Sequence, residues 1–244
     1  MERGCGQGQA AADLRSGRAG RPLGRRDPPT PVEDPVRIGG HLSTRLPIFP
    51  LPGAILFPGL QLPLHIFERR YRDLVGNALA KDRLIGMIQP QKSKEGAPLY
   101  EIGCVGRIGD VEALEDGRYN IVLDGEARFR LLRELDVTTS FRQIEAELIE
   151  DPQDQTLSSV ERAGFEFEAR RFADMQGYSV DWESVAKLDD ETLINGVAQI
   201  IPFDAASKQA LLEAPDLRQR CELMIQLMQF FALRDDGDEI VTLQ

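Results

Sequence analysis

Hydrophobic and polar residues follow two different periods along this chain. Between Arg45 and about residue 150, apolar residues recur at every second position, which is typical of half-buried strands. After Asp151-Pro152 they recur every three to four positions, which is typical of helices. The pattern therefore predicts a strand-rich segment followed by a helical one. The clearest alternating runs are Tyr100-Ile102-Cys104, Tyr119-Ile121-Leu123, Ala127-Phe129-Leu131 and Ile144-Ala146-Leu148.

One helix is predicted within the strand-rich segment, over residues 67–81, because its apolar residues are spaced to share one face. Before it, prolines and glycines divide residues 46–53 and 54–59 into two runs, each of which predicts a short strand entering a turn. Polar turn signals at residues 115–118 and at Asp124-Gly125 separate the later strands. The residues on the predicted helix face are Phe67, Tyr71, Leu74, Val75 and Ala78.

Capping residues predict where the later helices begin. Ser158 and Glu161 form a capping box, Asp204 is a second N-cap, and Pro215 suits the first turn of a helix. An apolar stripe in the last helix faces other helices, so this segment predicts a bundle of three or four helices. The predicted helices cover residues 160–176, 190–200, 204–213 and the segment from Pro215 onward; the stripe consists of Leu217, Cys221, Met224, Met228 and Phe231.

Together these elements predict an α+β protein. Residues 44–150 are expected to form a mostly antiparallel, closed or half-closed β-barrel with one packed helix, and residues 151–234 a helical bundle. Residues 1–43, rich in Gly, Pro and Arg, are expected to be a disordered tail, and residues 235–244 an acidic tail. The first tail has two interpretations: it is a basic binding arm or, as we favour, an extension upstream of a native start near Val36.

Charge is distributed unevenly between the first tail and the rest of the chain. Residues 1–45 hold eight arginines and five acidic residues, whereas the remainder holds 21 basic and 35 acidic residues. An acidic body of this kind repels phosphate backbones, so nucleic acid is a poor candidate partner. No apolar run is long enough to span a membrane, and no signal peptide is apparent. Three scattered cysteines argue against a disulfide scaffold, so the cytoplasm is the expected compartment.

Motifs for catalysis and cofactor binding are absent from the sequence. No P-loop, GxSxG elbow or HExxH pair occurs, and no carboxylate spacing singles out an acid–base pair. We therefore predict no catalytic, cofactor-binding or metal-binding residues. The remaining candidates are interpreted as structural: Gly103, Gly106 and Gly109 as sheet glycines, His65 as a packing residue, and Cys104 and Cys221 as small core residues.

Two clusters of polar residues interrupt the pattern of apolar residues in the strand-rich segment. They could form a binding site for an anion or peptide, or a partly buried ion-pair network, which is the favoured interpretation. In the network, Glu68 at the start of the predicted helix pairs with an arginine of the 115–118 hairpin region. The candidate network residues are Glu68, Arg69, Tyr71, Asp116, Arg118 and Arg128.

Seven motifs, read in order over about residues 46–150, resemble the N-terminal domain of the Lon protease. That resemblance implies a PUA-like β-barrel followed by helices, and the segment Leu211-Leu-Glu-Ala-Pro215 is similar to stand-alone Lon-domain proteins of bacteria. The motifs are Leu46-Pro-Ile-Phe-Pro-Leu, Leu56-Phe-Pro-Gly, Leu62-Pro-Leu, Ile66-Phe-Glu-x-Arg-Tyr71, Leu84-Ile-Gly-Met, Gly103-Cys-Val-Gly-Arg-Ile108 and Asp116-Gly-Arg-Tyr-Asn-Ile-Val-Leu123-x-Gly125, with Arg128-Phe-Arg130 following.

The resemblance implies a non-catalytic module that recognises polypeptide. The ATPase and serine–lysine peptidase domains of the protease have no counterpart in these residues, and three scattered cysteines exclude the four-cysteine zinc site of the related eukaryotic receptors. Unfolded or partly folded proteins are the expected partners, together with a separate protease if the module is an adaptor rather than a holdase. The chain is expected to be a monomer or a homodimer.

The candidate polypeptide contact is the proline-bounded run containing Ile55, Leu56 and Phe57, although a core strand is the favoured interpretation of the same residues. Two alternative functions are an RNA-binding PUA-like protein, which the acidic body disfavours, and a small-molecule enzyme, which no motif supports.

Overall fold

The computed structural model describes residues 36–38, 41–94, 96–152 and 155–235, which form an α+β arrangement of seven strands and six helices. Pro35–Gln244 forms one compact unit. The strands are β1 (Val36–Ile38), β2 (His41–Pro50), β3 (Gln61–Ile66), β4 (Leu84–Ile88), β5 (Ile102–Ala113), β6 (Tyr119–Glu134) and β7 (Gln143–Leu148). The helices are α1 (Arg69–Leu79), α2 (Ser159–Met175), α3 (Trp182–Val185), α4 (Asp190–Ile200), α5 (Ala205–Glu213) and α6 (Leu217–Asp235).

Five strands pair in a closed circuit. Strand β2 pairs with β4, β4 with β5, β5 with β6, β6 with β7, and β7 returns to β2. Every one of these pairings is antiparallel except β2 with β4, in keeping with the predicted mostly antiparallel sheet. Strands β1 and β3 extend the sheet from β2 and β6.

Strand structure begins earlier than the sequence pattern predicts. Strand β1 and the first residues of β2 lie within the segment 1–43 that was predicted to be a tail, and Val36 pairs with Ser43. Backbone pairing with β2 explains this, because a strand can form through its ladder even where apolar periodicity is weak. Residues 1–35, 39–40 and 236–244 lie outside the described residues.

Helix α1 packs one face against the sheet, as its apolar spacing predicts. Four of its residues, Tyr71, Leu74, Val75 and Ala78, are buried. Phe67 is not on this face and remains 61% exposed, because the helix begins only at Arg69 and Phe67 precedes its N-cap.

Two predicted backbone features are wrong within the strand-rich segment. Residues 54–59 form an irregular loop and not a strand, and Asp124-Gly125 is not a turn but lies inside β6. The loop explains both, because Gly59 donates to the Gly125 carbonyl and the Gly125 N–H donates to the Leu60 carbonyl. A Cβ atom on Gly125 would overlap the carbonyl oxygen of Phe57. Glycine at this position therefore permits close backbone approach rather than a turn.

The sheet glycines also match their predicted role. A Cβ atom on Gly106 would lie 2.9 Å from Leu56, and Cβ atoms on Gly103 and Gly109 would overlap the side chains of Phe129 and Asp124. The β5–β6 register shifts at Val105/Gly106 and between Ile108 and Val111, which marks bulges at these positions.

The helical segment follows the predicted caps closely. Ser158 and Glu161 form the capping box of α2, and Asp204 caps α5 by accepting from the Ser207 N–H. The predicted stripe of α6 is buried, apart from the half-buried Phe231. The one-turn helix α3 was not predicted, since four residues are too few to show a helical period.

Replacing Gly125 with Ala should destabilise the protein, because the added methyl group overlaps the Phe57 carbonyl and the backbone has to move. Overpacking of this kind costs about 1–3 kcal/mol. The free energy of unfolding in urea measures the effect.

Gly164→Ala is the matched control, because Gly164 lies within α2 and its Cβ position is open. Alanine should there stabilise the protein by about 0.5–1 kcal/mol through its higher helix propensity. A Gly125→Ala variant as stable as the parent chain would contradict the close approach.

Candidate functional site

The run predicted to contact polypeptide fills the joint between the sheet and the helices. Ile55, Leu56 and Phe57 are only 3%, 1% and 0% exposed. Ile55 and Phe57 belong to the apolar cluster of the helices, whereas Leu56 points the other way into the cluster between α1 and the sheet. The prediction that these three residues contact polypeptide at the surface is therefore wrong. Their burial agrees with the alternative interpretation, in which they belong to the core.

Arg128 is the most densely bonded side chain of this joint. It is 4% exposed and projects from β6, where its Nε lies 3.0 Å from Oδ1 of Asp151 and its Nη2 also pairs with that carboxylate. Its Nη1 donates to the carbonyls of Leu212 and Ala214 at 2.8 and 2.7 Å, and Nη2 donates to that of Pro215 at 3.2 Å. One planar guanidinium thus binds the sheet to the segment between α5 and α6.

A second buried arginine, Arg220, lies beside the first. Its guanidinium carbon is 5.3 Å from the centre of the Phe57 ring, and its side chain donates to the Leu211 carbonyl and to Oδ1 of Asn195, at 3.0 and 2.7 Å. Burial, together with the nearby positive charge of Arg128, lowers the pKa of Arg220 to about 10. Arg220 therefore remains protonated at neutral pH and stabilises the joint as a cation over an aromatic face.

Glutamine side chains complete the joint by joining backbone groups across it. Gln209 of α5 donates to the Ile102 carbonyl at 3.0 Å and also accepts a hydrogen bond from Gln89 at 3.1 Å. Gln199 of α4 accepts from the Phe57 N–H at 3.4 Å and donates to the Gln61 carbonyl at 2.7 Å. These bonds satisfy the Phe57 N–H of the irregular loop and the carbonyls of Gln61 and Ile102, which would otherwise be costly to bury.

The predicted polar network does not form as a single unit. Glu68 pairs locally with Arg70 at 2.9 Å, and Asp116 pairs locally with Arg118 at 2.6 Å. The Tyr71 hydroxyl donates to the Pro50 carbonyl at 3.4 Å.

Two arginines of the predicted network belong to neither of these pairs. Arg69 is exposed at the start of α1. Arg128 lies apart from the hairpin because ten residues of extended strand span about 30 Å. Its carboxylate partner is Asp151, and not Glu68 or Asp116.

His65 is exposed rather than a packing residue. Its Nδ1 lies 2.7 Å from Oδ1 of Asn120 and its Nε2 lies 3.2 Å from Nη1 of Arg118. Both ring nitrogens thus lie within hydrogen-bond distance of a polar side chain at the surface.

The two cysteines of the described residues are free and buried, as predicted. Burial raises the pKa of the Cys104 thiol, and burial with nearby carboxylates raises that of Cys221 to about 11, so neither is a thiolate nucleophile at neutral pH.

An apolar pocket opens between α2, α3 and α4. Its volume is about 130 Å³. Ile200 and Tyr178 stand at its edge with 78% and 47% of their surfaces exposed. Its apolar lining is Phe165, Ala169, Phe172, Ala173, Tyr178, Val180, Trp182, Val185, Leu193, Val197, Ile200, Ile201 and Met228.

Local sequence explains how the pocket is built. Asp181 caps α3 by accepting from the N–H groups of Glu183 and Ser184, which places Trp182 in the first turn of that short helix. The Arg170 guanidinium lies 4.3 Å from the centre of the Trp182 ring. Glu166 also lines the pocket, and its carboxylate pairs with Arg162 at 2.9 Å.

The size of the pocket fits one large apolar side chain, since a cavity of about 150 Å³ accommodates a benzene-sized group. Sequence reasoning missed this site, because its lining comes from four helices, α2, α3, α4 and α6, and from residues next to them in the chain. One feature of the sequence could have indicated the site. Trp182, the single tryptophan of the chain, follows directly after a capping aspartate in a largely polar stretch of sequence. Within the described residues there is no cluster of ligands for a metal and no helix suited to crossing a membrane.

These features define a class of small α+β domain. A closed circuit of five strands is joined through buried arginines to helices that carry an apolar pocket. Residues 45–229 match the family of the ATP-dependent protease La (LON) substrate-binding domain. Because this match covers well over half of the sequence, the chain belongs to that family.

The relatives are Lon proteases of bacteria. The chain is 28% identical over 192 residues to Lon protease 2 of Myxococcus xanthus, and 30% identical over 195 residues to the Lon protease of Syntrophus aciditrophicus. These alignments cover 75% and 72% of this chain, but only 23% and 24% of the relatives. The chain thus spans about a quarter of the length of the curated relatives it matches.

Two solved structures share the fold. A Lon N-terminal domain protein from Xanthomonas campestris superposes with a TM-score of 0.58 at 25% identity, covering 77% of this chain and 98% of that one. The N-terminal domain of the Mycobacterium avium complex Lon protease superposes with a TM-score of 0.59 at 19% identity, covering 76% and 98%.

Replacing Arg128 with Met should strongly destabilise the protein. The change leaves three backbone carbonyls and the Asp151 carboxylate without their buried donor, and breaking a buried pair costs about 3–5 kcal/mol. Urea unfolding monitored by circular dichroism measures the loss.

Arg118→Met is the matched control, since Arg118 and its partner Asp116 are 45% and 51% exposed. Exposed pairs contribute little to stability, so the urea midpoint of this variant should equal that of the parent chain. Equal midpoints for the Arg128 and Arg118 variants would show that Arg128 does not hold the joint.

Proposed function

We propose that this chain is a non-catalytic module that recognises exposed apolar segments of unfolded or partly folded polypeptides. The observation that carries the proposal is the open apolar pocket of α2, α3 and α4, with Ile200 largely exposed at its edge. Exposed apolar side chains next to a concave site are a feature of binding surfaces. The pocket replaces the buried run 55–57 as the candidate contact.

Family membership supports recognition of polypeptide, because the family is described as the substrate-binding domain of the protease. Within that function, we propose that the chain is an adaptor or a holdase in cytoplasmic protein quality control and that it acts as a monomer or homodimer. An adaptor would deliver bound polypeptide to a separate protease, whereas a holdase would keep it from aggregating.

The size of the pocket sets the expected strength and selectivity of binding. Burying one large aliphatic side chain contributes about 1.5–3 kcal/mol, which by itself gives weak binding. A pocket for one side chain therefore favours chains that present several apolar segments, which is characteristic of unfolded proteins. The acidic composition of residues 46–244 makes RNA the weaker alternative.

Replacing Ile200 with Asp should weaken polypeptide binding about tenfold or more, because a charge at the pocket edge disfavours an apolar side chain. Ile200 is 78% exposed, so stability should be nearly unchanged. Fluorescence anisotropy with fluorescein-labelled, reduced and carboxymethylated α-lactalbumin, which stays unfolded, measures the dissociation constant.

Val160→Asp is the control, since Val160 is 80% exposed on α2 but does not line the pocket. It should bind the labelled polypeptide as the parent chain does. If both variants bind equally well, the pocket is not the contact. Binding of labelled RNA that survives deletion of residues 1–35, which leaves β1 and β2 intact, would favour the RNA-binding alternative instead.

A further inference from the structure

Negative charge lies beside the apolar pocket where helix α2 ends. Ala173, in the last turn of α2, lines the pocket, and the next residue is the exposed Asp174. No basic residue lies in this last turn, so the partial negative charge of the helix end adds to that of the carboxylate. Tyr178, which follows the helix, stands at the pocket edge. This side of the pocket is therefore negative.

A second acidic element is the short helix α3, which supplies Trp182 to the pocket. Asp181 and Glu183, on either side of this tryptophan in the chain, are both exposed. Hydrogen bonds from the hydroxyl and N–H groups of Ser184 hold the pKa of Asp181 below its usual range, so this carboxylate is charged at neutral pH. Trp182 thus has an exposed carboxylate on each side in the chain.

The basic residues near the pocket do not balance the acidic ones. Arg162 binds two carboxylates, those of Glu166 and Asp190, and Arg170 lies over the Trp182 ring at 4.3 Å from its centre. Residues 162–191 contain four basic and eight acidic side chains. The basic ones are Arg162, Arg170, Arg171 and Lys187, and the acidic ones are Glu166, Glu168, Asp174, Asp181, Glu183, Asp189, Asp190 and Glu191.

The nearby cations that have partners bind other groups. Arg171 pairs with Glu168 at 3.7 Å, and Lys208 donates to the Gln199 carbonyl at the end of α4, at 2.9 Å. Within the part of the chain that the structure describes, three carboxylates next to lining residues have no basic partner: Asp174, Asp181 and Glu183. Their charges are available to a ligand.

We propose that the pocket selects large apolar side chains that are flanked by lysine or arginine in an unfolded polypeptide. The apolar side chain enters the pocket, and the neighbouring cations lie beside Asp174, Asp181 and Glu183. Complementary charge of this kind adds specificity to an apolar contact. The selectivity rests on the proposed function of the pocket, and it adds to that function the class of segment that binds best.

The preference is modest for each charge, because the carboxylates are exposed. One exposed pair of opposite charges changes binding about two- to fivefold, so two flanking cations should strengthen it about fivefold or more. Salt weakens the effect, since the screening length falls from about 10 Å at 0.1 M salt to about 3 Å at 1 M. Salt dependence therefore separates the charge contribution from the apolar contact.

Three fluorescein-labelled peptides of equal length test the preference by fluorescence anisotropy with the full chain. Each contains several leucines separated by glycine and serine, and each leucine is flanked on both sides by lysine, by serine or by glutamate. At low salt, the lysine peptide should bind about fivefold more tightly than the serine peptide, and the glutamate peptide about fivefold more weakly. At about 1 M salt, the three dissociation constants should agree within about twofold.

Two double variants locate the preference. Asp174→Asn with Glu183→Gln removes two carboxylates beside the pocket and should lower the ratio of lysine-peptide to glutamate-peptide affinity about fivefold. The matched control, Asp136→Asn with Glu115→Gln, changes the net charge equally at exposed positions that do not line the pocket, and should leave the ratio unchanged.

Equal affinities of the three peptides at low salt would overturn the proposal. An equal fall of the ratio in both double variants would also overturn it, since general attraction to an acidic protein would then explain the preference. Ile200→Ser, which changes no charge, separates this proposal from the proposed function. If it leaves every affinity unaltered, the pocket is not the contact and both fail. If it weakens binding of the serine peptide while the parent chain binds the lysine and glutamate peptides equally, the proposed function stands and the charge preference is wrong.

Discussion

A single buried guanidinium determines how the two halves of this protein meet. Arg128 reaches from the middle of β6 to the carboxylate of Asp151 and to three carbonyls near the end of α5. Carbonyls at a helix end have no partners within the helix, and Arg128 supplies donors to them. Because burying a charge without such partners is costly, the α5–α6 segment is confined to the one place where Arg128 can reach it. Arg220 and Phe57 then fill the space beside it.

The position of the apolar pocket follows from this joint. Gln199 is bonded to the loop at Phe57 and Gln61, which fixes the rotation of α4 about its axis. The next residue, Ile200, is about 100° further around the helix and lies at the pocket edge, while Ile201 returns to the core. The exposure of Ile200 is thus a consequence of how α4 is held on the sheet. Gln199 is half-buried against the sheet, whereas Ile200 is 78% exposed.

Features that depend on residues close together in the sequence were predicted correctly. Features that depend on residues far apart in the sequence were missed. The helix caps at Ser158 and Asp204 were predicted because their partners lie three residues away. The Arg128 contacts were not, because its partners lie between 23 and 87 residues along the chain. Asp124-Gly125 has the composition of a turn, yet the close approach of Phe57 explains the glycine. The pocket escaped notice for the same reason, since no single segment contains it.

A pocket for one side chain distinguishes its ligands weakly by shape, so its selectivity between unfolded and folded proteins has to come from the number of apolar side chains that a polypeptide presents. Any accessible large apolar side chain fits a volume of about 130 Å³. Under the proposed function, a folded protein, with few large apolar side chains accessible, rarely fills the pocket. An unfolded chain with many apolar segments fills it more often, because each segment adds to the local concentration at the pocket. A weak contact with each single side chain would then be what lets the module distinguish unfolded from folded proteins.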